Sequence, residues 1–358
     1  MVLTTHRETL DFNLKLAKIF GLFGYYDLPL KQYLAIITFR TINIIMTTLV
    51  IVTNTADFFV NISNLSEVSY NIGYILPMTA TSLKALTFFM RQKAVVKIIE
   101  EVHGPVTKLI SSSDIGVVNL IKKSVFWQNV DFGMFVCATF CVCMTGLLPI
   151  RQILSTRQLM IRAVFPFDEK PYPIFEIVYA LQYYGLLVEC AWCVIFDPVV
   201  MGLARWITFQ VDVLRSNFEH CDDGIPRATF VKIVDLEKER ERQSDKNAKI
   251  KVFIPFSDDQ ANETNDSFLL RFCHCVKNHR RLIQCLDNFN ELFGLILFAQ
   301  IASDCLLTCI GLFQFALTIK RKRQNNVFRD MVMLGSGLIH LGYWSIYGNL
   351  LINEVRSS

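Results

Sequence analysis

The residue types that most often bind metal ions are concentrated at Cys273-His274-Cys275, with His279 one turn further on. Zinc sites usually separate paired cysteines by two or more residues, and residues two positions apart on a helix point to different faces. We therefore expect no metal site here and no bound cofactor. A phosphate-binding glycine loop, His-Glu-x-x-His and Gly-x-Ser-x-Gly do not occur in the sequence, so these patterns do not indicate an enzyme.

Two acidic residues, Glu189 and Asp304, lie within long apolar stretches. A carboxylate in a membrane is costly unless it faces protein or water, so we expect both side chains to point towards other helices. They could act in gating or along an ion path, or they could be protonated or hydrogen-bonded contacts between helices. Asp197-Pro198, in the same stretch as Glu189, predicts a kink where that helix leaves the membrane.

The stretch that contains Glu189 is a long apolar run, 174–208. It follows a proline-rich segment, 165–173, which cannot be helix interior because proline lacks a backbone N–H and fixes φ. At 1.5 Å per residue the run forms a helix of roughly 50 Å, whereas the hydrocarbon core of a bilayer is about 30 Å thick. We therefore expect this helix to cross a membrane and to continue for some turns into water.

The composition agrees with a membrane protein. Of the 358 residues, 52% are hydrophobic and only 19% are charged, and the mean hydropathy is +0.36. A net charge of +4 is too small to indicate a nucleic-acid partner. The predicted fold class is all-α: a polytopic helical membrane protein with six transmembrane helices, of which helices 4 and 5 are long and extend into the cytoplasm. The predicted spans are 33–54, 68–90, 130–150, 174–208, 291–319 and 327–352.

These spans divide the chain into five regions. Apolar periodicity over 268–290 predicts a helix that continues into the fifth span, whereas the mixed charges of 235–266 predict disorder. The N-terminal region could be an interfacial helix or a tethered tail. The regions are a cytoplasmic N-terminal segment (1–32), transmembrane helices 1–4 (33–208), a cytoplasmic loop with anchor helices (209–290), transmembrane helices 5–6 (291–352) and a truncated C-terminal tail (353–358).

The N-terminus is predicted to be cytoplasmic. Arg40 and Lys84 lie in the first two spans near the ends that this orientation places inside, where long side chains can snorkel to the headgroups. The first connecting loop has neither Lys nor Arg and contains two glycosylation sequons, at Asn61 and Asn64, which we place outside. Two further sequons between spans four and five argue the other way.

In several places the sequence resembles the insect odorant receptors. The motifs extend over most of the chain, and the order in which they occur supports the resemblance more strongly than any one of them. They are Pro166-Phe167-Asp168, Pro173, Phe175, Tyr179 and Gln182; the stretches 210–215, 275–282 and 286–290; Gly342-Tyr343-Trp344; Gly348-Asn349; and Asn353-Glu354.

The resemblance implies an odorant receptor, a ligand-gated non-selective cation channel subunit that binds small volatile molecules. It also implies a hetero-tetramer with an odorant co-receptor, surrounded by membrane lipid in the plasma membrane of a sensory neuron. Members of this family have seven spans, and the seventh lines the pore. This chain ends after the sixth, at Ser358, so we expect it to lack the seventh span and not to conduct ions alone.

The odorant pocket of the family lies in the outer half of the membrane, among spans two, three, four and six. Tyrosine hydroxyls and methionine sulfurs suit a small volatile ligand because they adapt to its polarity and shape. Each of these residues could instead pack against a neighbouring helix. The pocket residues that the resemblance implies are Tyr70, Tyr74, Met78, Met144, Thr145, Tyr179, Tyr183, Met333 and Gly337.

Other classes of protein are less well supported. A G-protein-coupled-type receptor would have its N-terminus outside, and the chain has no Asp-Arg-Tyr-like end to span three and no cysteines to pair in the exposed loops. A gustatory chemoreceptor is closer, but its signature lies in the seventh span. A transporter or membrane enzyme should show a cluster of convergent polar residues within the spans, and here they are scattered.

Overall fold

A computed structural model describes most of the chain. The described residues are 17, 29–147, 150–222, 224–230, 248–263, 266–320 and 324–357. Most of the predicted N-terminal segment 1–32, half of the predicted disordered region 235–266 and the side chains of the predicted tail 353–358 lie outside this part.

The described residues form helices connected by short segments. Two isolated β-bridges occur among them, and no strand. The helices are α1 (Leu30–Val60), α2 (Leu65–Met90), α3 (Gln92–Leu109), α4 (Ile115–Leu147), α5 (Ile150–Thr156), α6 (Ile174–Glu219), α7 (Asp258–Ala261), α8 (Phe268–Lys320) and α9 (Gln324–Ser357).

Four of these helices, α1, α4, α6 and α8, are long and apolar enough to cross a membrane. The predicted all-α membrane fold is therefore confirmed. Helices α2 and α9 cover the other two predicted spans and have 26 and 34 residues. Both are longer than the about 20 residues that a span needs. They are not among the four helices that are apolar enough, so their crossing of the membrane stays a prediction. The buried side of α2 carries polar residues, among them Asn71, Thr81 and Lys84.

Helix α6 is the centre of the bundle and packs against α1, α2, α3, α4, α8 and α9. It has buried residues on every side, including Trp192 and Trp206. On α1, by contrast, apolar side chains such as Ile45 and Val52 are exposed and suit contact with lipid. Since lipid is as apolar as these side chains, close packing must hold the helices together. A Cβ on Gly185 of α6 would lie only 2.8 Å from Val50 of α1, so glycine permits this close approach.

Helix α3 lies between the predicted spans two and three, in a stretch for which no helix was predicted. Val95, Val102 and Val106 recur at helical spacing and are fully buried. They belong to the face that packs against α2, α6 and α8. Its charged residues, such as Lys97 and Glu100, lie on its exposed face.

Helices α6 and α8 are much longer than a bilayer core. With 46 and 53 residues, at 1.5 Å per residue, they extend for about 69 and 80 Å. Helix α8 runs without a break from Phe268 into the fifth span, which confirms the predicted continuity. Near the far end of α6, Asn217 exchanges two hydrogen bonds of 2.7 Å with the backbone of Ile254.

Candidate functional site

A cavity of about 150 Å³ lies inside the bundle, between α2, α4, α6, α8 and α9. Its wall is mostly apolar and includes Met78 of α2, Val142 of α4, Leu186 of α6 and Leu307 of α8. Sites for small ligands have this composition, an apolar wall with a few polar groups that orient the ligand. The cavity is therefore the candidate functional site.

Six residues that the sequence singles out meet at this cavity, although they belong to four helices. One of them is Gly337. A Cβ on this residue would lie 3.4 Å from Leu307, so a larger side chain would take up cavity space. The six residues are Tyr74, Met78, Glu189, Asp304, Met333 and Gly337.

Tyr179 and Tyr183, also expected in the pocket, pack elsewhere. Their rings stack with centroids 6.4 Å apart on one side of α6. The Tyr179 hydroxyl donates to the carbonyl of Gly146 at 2.6 Å, and the Tyr183 hydroxyl donates to that of Cys143 at 3.3 Å. Both tyrosines thus hold the end of α4 against α6. They pack against a neighbouring helix, which was the alternative to a place in the pocket.

The three remaining pocket candidates also lie away from the cavity. The Tyr70 hydroxyl donates to the carbonyl of Met160 at 2.6 Å. Thr145 donates to the carbonyl of Val142 in its own helix at 2.6 Å, and neither it nor Met144 lines the cavity. Helix α4 reaches the cavity through Val142 and residues nearer its middle, because the cavity lies deeper in the bundle than the tyrosines.

A wider depression of about 650 Å³ lies at the end of the bundle where α1 connects to α2. Its lining is polar and includes Asp57, Glu67 and Arg162. The Arg162 guanidinium forms ion pairs with both carboxylates, at 3.3 Å to Asp57. This open and charged surface suits water and ions better than an apolar volatile, so the smaller cavity remains the candidate.

A buried network of ionisable side chains adjoins the cavity. Lys84 Nζ lies 2.6 Å from Asp197 Oδ1, and the two side chains are 1% and 0% exposed. His340 Nε2 lies 2.8 Å from Asp197 Oδ2, and His340 Nδ1 lies 3.0 Å from Asp304 Oδ2. Because both ring nitrogens face carboxylates, we assign protons to both from these contacts. These four residues then carry no net charge, which is the state that a membrane interior favours.

The network corrects one interpretation of the sequence. The predicted snorkelling of Lys84 is wrong, because its side chain is buried and pairs with Asp197. Asp197 is the centre of the network, and α6 continues through Pro198 to Glu219, so the kink at Asp197-Pro198 stays a prediction. His340 is not singled out by the sequence. It could have been found because ionisable residues within a membrane require partners. The positively and negatively charged residues of the apolar runs could therefore have been paired with one another.

Two buried oxygen atoms of cavity residues have no hydrogen-bond partner within the described part of the chain. Ser82 donates to Oε1 of Glu189 at 2.7 Å, whereas Oε2 of Glu189 is unpaired. Gln300 donates from Nε2 to Asp304 at 2.7 Å, and its Oε1 is unpaired. Buried polar atoms are normally paired, so these atoms are available for hydrogen bonds with a ligand.

Fold and site together define the class of protein. It is a polytopic helical membrane protein with a small, mostly apolar cavity between its helices and a few polar groups at the cavity wall. This arrangement can bind a small molecule among the spans.

The family model for the 7tm Odorant receptor matches residues 64–357. The chain belongs to this family, and the membership predicted from its motifs is confirmed.

Two solved structures of the insect olfactory receptor OR5 from Machilis hrabei are similar to this chain. One has a TM-score of 0.68 at 11% identity and covers 99% of this chain and 82% of that one. The other, in complex with eugenol, has a TM-score of 0.67 at 10% identity and covers 94% of this chain and 78% of that one. At this identity the likeness shows the fold alone. A comparison with curated protein sequences gives no match.

Proposed function

We propose that this chain is an odorant receptor whose cavity binds one small volatile molecule and thereby gates a non-selective cation channel. This proposal is based on the size and the lining of the cavity. An apolar cavity of about 150 Å³ in another protein accommodates benzene, and this cavity has a similar volume. We therefore expect ligands with a single ring or a short chain.

The proposed ligand contacts are of two kinds. Tyr74, Met78 and Met333 provide an adaptable apolar wall. The unpaired oxygens of Glu189 and Gln300 can form hydrogen bonds with a polar group of the ligand. The similar fold that was solved in complex with eugenol supports a small organic ligand.

Gating follows from the position of the cavity between five helices. A ligand that binds one arrangement of these helices more tightly than another shifts the equilibrium towards it. Glu189 and Asp304 lie on the cavity wall, which supports a role for them in gating.

We place the chain in the plasma membrane of a sensory neuron, in a hetero-tetramer with an odorant co-receptor and with its N-terminus in the cytoplasm. The parts of α6 and α8 that extend beyond the bilayer support contacts with other subunits. In this orientation Asn61 and Asn64 face outside. Asn64 is the better glycosylation site because its side chain is exposed, whereas Asn61 Nδ2 donates to Asp57 at 3.1 Å.

A change that fills the cavity should weaken the response. Gly337→Val should raise the odorant concentration for half-maximal current about 5–150-fold, because overpacking a site costs about 1–3 kcal/mol. Gly335→Val is the matched control: it lies on the same helix, does not line the cavity, and has open space around its Cβ position. The measurement is current evoked by benzene-sized volatiles in cells that co-express an odorant co-receptor.

Equal shifts in the two variants would show that the cavity is not the odorant site. A wild-type chain that gives no odorant-evoked current with the co-receptor would contradict the proposed function. Current from the chain alone would contradict the need for a partner.

A further inference from the structure

Three metal-binding atoms meet beside the cavity: Cys193 Sγ, Asp197 Oδ2 and His340 Nε2. Sγ lies 3.1 Å from Oδ2 and 3.7 Å from Nε2, and Oδ2 lies 2.8 Å from Nε2. Cys193 and Asp197 are four positions apart on α6 and therefore share one face of the helix. His340 comes from α9, so the group connects two helices.

These separations are close to those of a zinc site. Tetrahedral bonds of about 2.0 Å to nitrogen or oxygen and about 2.3 Å to sulfur place the ligand atoms about 3.3–3.6 Å apart. Each observed separation is within about half an ångström of this range, which small side-chain rotations can supply. Three protein ligands leave the fourth position open, and Cys193 and His340 also line the cavity.

The residues around these three atoms are arranged as supports for metal ligands. His340 Nδ1 faces Asp304 Oδ2 at 3.0 Å, and such a carboxylate fixes the orientation of a metal-binding imidazole. Lys84 holds Oδ1 of Asp197 at 2.6 Å, so Oδ2 is left to face the other two ligands.

The charges also suit a divalent ion. In the metal-free state Lys84 and His340 are cations, Asp197 and Asp304 are anions, and Cys193 is a neutral thiol. When Zn²⁺ binds, Cys193 Sγ and His340 Nε2 each release one proton to solvent and form a bond to the metal. One divalent ion thus replaces two protons, and the net charge of the group stays at zero. The high cost of a net charge in the membrane therefore does not oppose the exchange.

We propose that Cys193, Asp197 and His340 form a Zn²⁺ site that joins α6 to α9 beside the odorant cavity. The sequence does not indicate this site, because its ligands come from distant stretches. The proposal does not depend on the proposed odorant or channel function, because its test measures metal binding alone.

The test is a titration of the purified 358-residue chain with Co²⁺, whose absorption spectrum depends on the ligands that bind it. The wild type should bind one Co²⁺ with the visible bands of a tetrahedral ion and a near-ultraviolet band from thiolate-to-cobalt charge transfer, and Zn²⁺ should remove both. Cys193→Ser should abolish the charge-transfer band. Cys190→Ser is the matched control, since Cys190 lies on the same helix and lines the same cavity without belonging to the group, and it should keep the band.

A charge-transfer band that persists in Cys193→Ser would overturn the proposal, because the sulfur would then come from another cysteine. A wild-type chain that binds no Co²⁺ would overturn it as well. Asp304→Asn should keep the band but weaken binding about 10–100-fold, as expected for a residue that positions a ligand.

X-ray absorption of the zinc-loaded wild type tests the same site without a variant that could misfold. It should show one sulfur at about 2.3 Å and the remaining ligands, nitrogen or oxygen, at about 2.0–2.2 Å. Two sulfur ligands, or none, would overturn the proposal.

Discussion

At the scale of single residues, the most informative feature is the pairing of charges inside the bundle. A buried ion pair gives little net stability compared with well-packed apolar residues, but removing one partner leaves an uncompensated charge. Lys84 and Asp197 are almost completely buried. The pair therefore adds little to the net stability, but a substitution at either residue must keep the charges balanced.

Removing one charge of this pair should be more harmful than removing both. Lys84→Met should lower the free energy of unfolding in mixed micelles by about 3–5 kcal/mol, because Asp197 loses its closest cation. Lys84→Met combined with Asp197→Asn should recover most of this loss. Lys97→Met is the control: it removes a surface pair in which Lys97 is 70% exposed, and the expected change is within about 1 kcal/mol. A double variant no more stable than Lys84→Met would contradict the role of the pair.

At the scale of elements, the parts of α6 and α8 beyond the bilayer are joined by polar contacts. Arg271, near the start of α8, is 1% exposed and donates from Nε and Nη2 to the two carboxylate oxygens of Asp266 at 2.7 and 2.5 Å. It also donates to the carbonyl of Ile225 at 2.8 Å, and its guanidinium lies 5.3 Å from the ring centroid of Phe253. One arginine thus fixes the segment that follows α6 to the start of α8.

This connection should weaken in acid. Hydrogen bonds from Arg271, followed by those from Arg227, lower the pKa of Asp266 from 3.8 to about 2. Because the pKa is lowered by folding, the stabilisation is fully present above about pH 4 and is lost as the pH falls through about 2. Hydrogen exchange of residues 222–230, corrected for the intrinsic effect of pH, should increase over this range.

Asp266→Asn removes the same negative charge at neutral pH and should increase exchange of residues 222–230 there. Asp258→Asn is the matched control, because it removes an exposed ion pair with Lys108 and should leave the exchange unchanged. Similar exchange in the two variants would show that the Asp266 carboxylate does not hold this segment.

At the scale of the whole molecule, the two ends of the bundle differ in character. The α1–α2 connection and the segment 157–173 surround a polar depression at one end. The long parts of α6 and α8 extend from the other end, where the described loops pack on them. We propose that the end with the depression faces outside. This orientation determines from which side an odorant enters and which part of the chain contacts other subunits.

Labelling with a membrane-impermeant maleimide tests this orientation. Asn64→Cys, at the exposed turn between α1 and α2, should be labelled in intact cells, and the wild type should not. The native Cys273 has an exposed side chain near the start of α8, at the opposite end, and should be labelled only after permeabilisation. Labelling of Cys273 in intact cells, with Asn64→Cys protected, would reverse the proposed topology.

The sequence alone is sufficient to locate the long helices. Helix α6 begins at Ile174, directly after the proline-rich segment, and α8 continues from Phe268 through the fifth span, as predicted. These features depend on the composition of each stretch, because composition and length decide whether a segment can cross a membrane. Helix α3 was not predicted, because charged residues such as Lys97 and Glu100 interrupt its apolar residues, although Val95, Val102 and Val106 recur at helical spacing on the opposite face.

Only the tertiary structure decided which side chains meet. Lys84 and Asp197 are 113 positions apart, and Asp197 and His340 are 143 apart. Tyr179 faces the end of α4, whereas Glu189 on the same helix lines the cavity. The order of residues along a span determines how deep each one lies in the membrane. The rotation of a helix about its own axis depends on its packing against all its neighbours, and no single stretch of sequence contains that information.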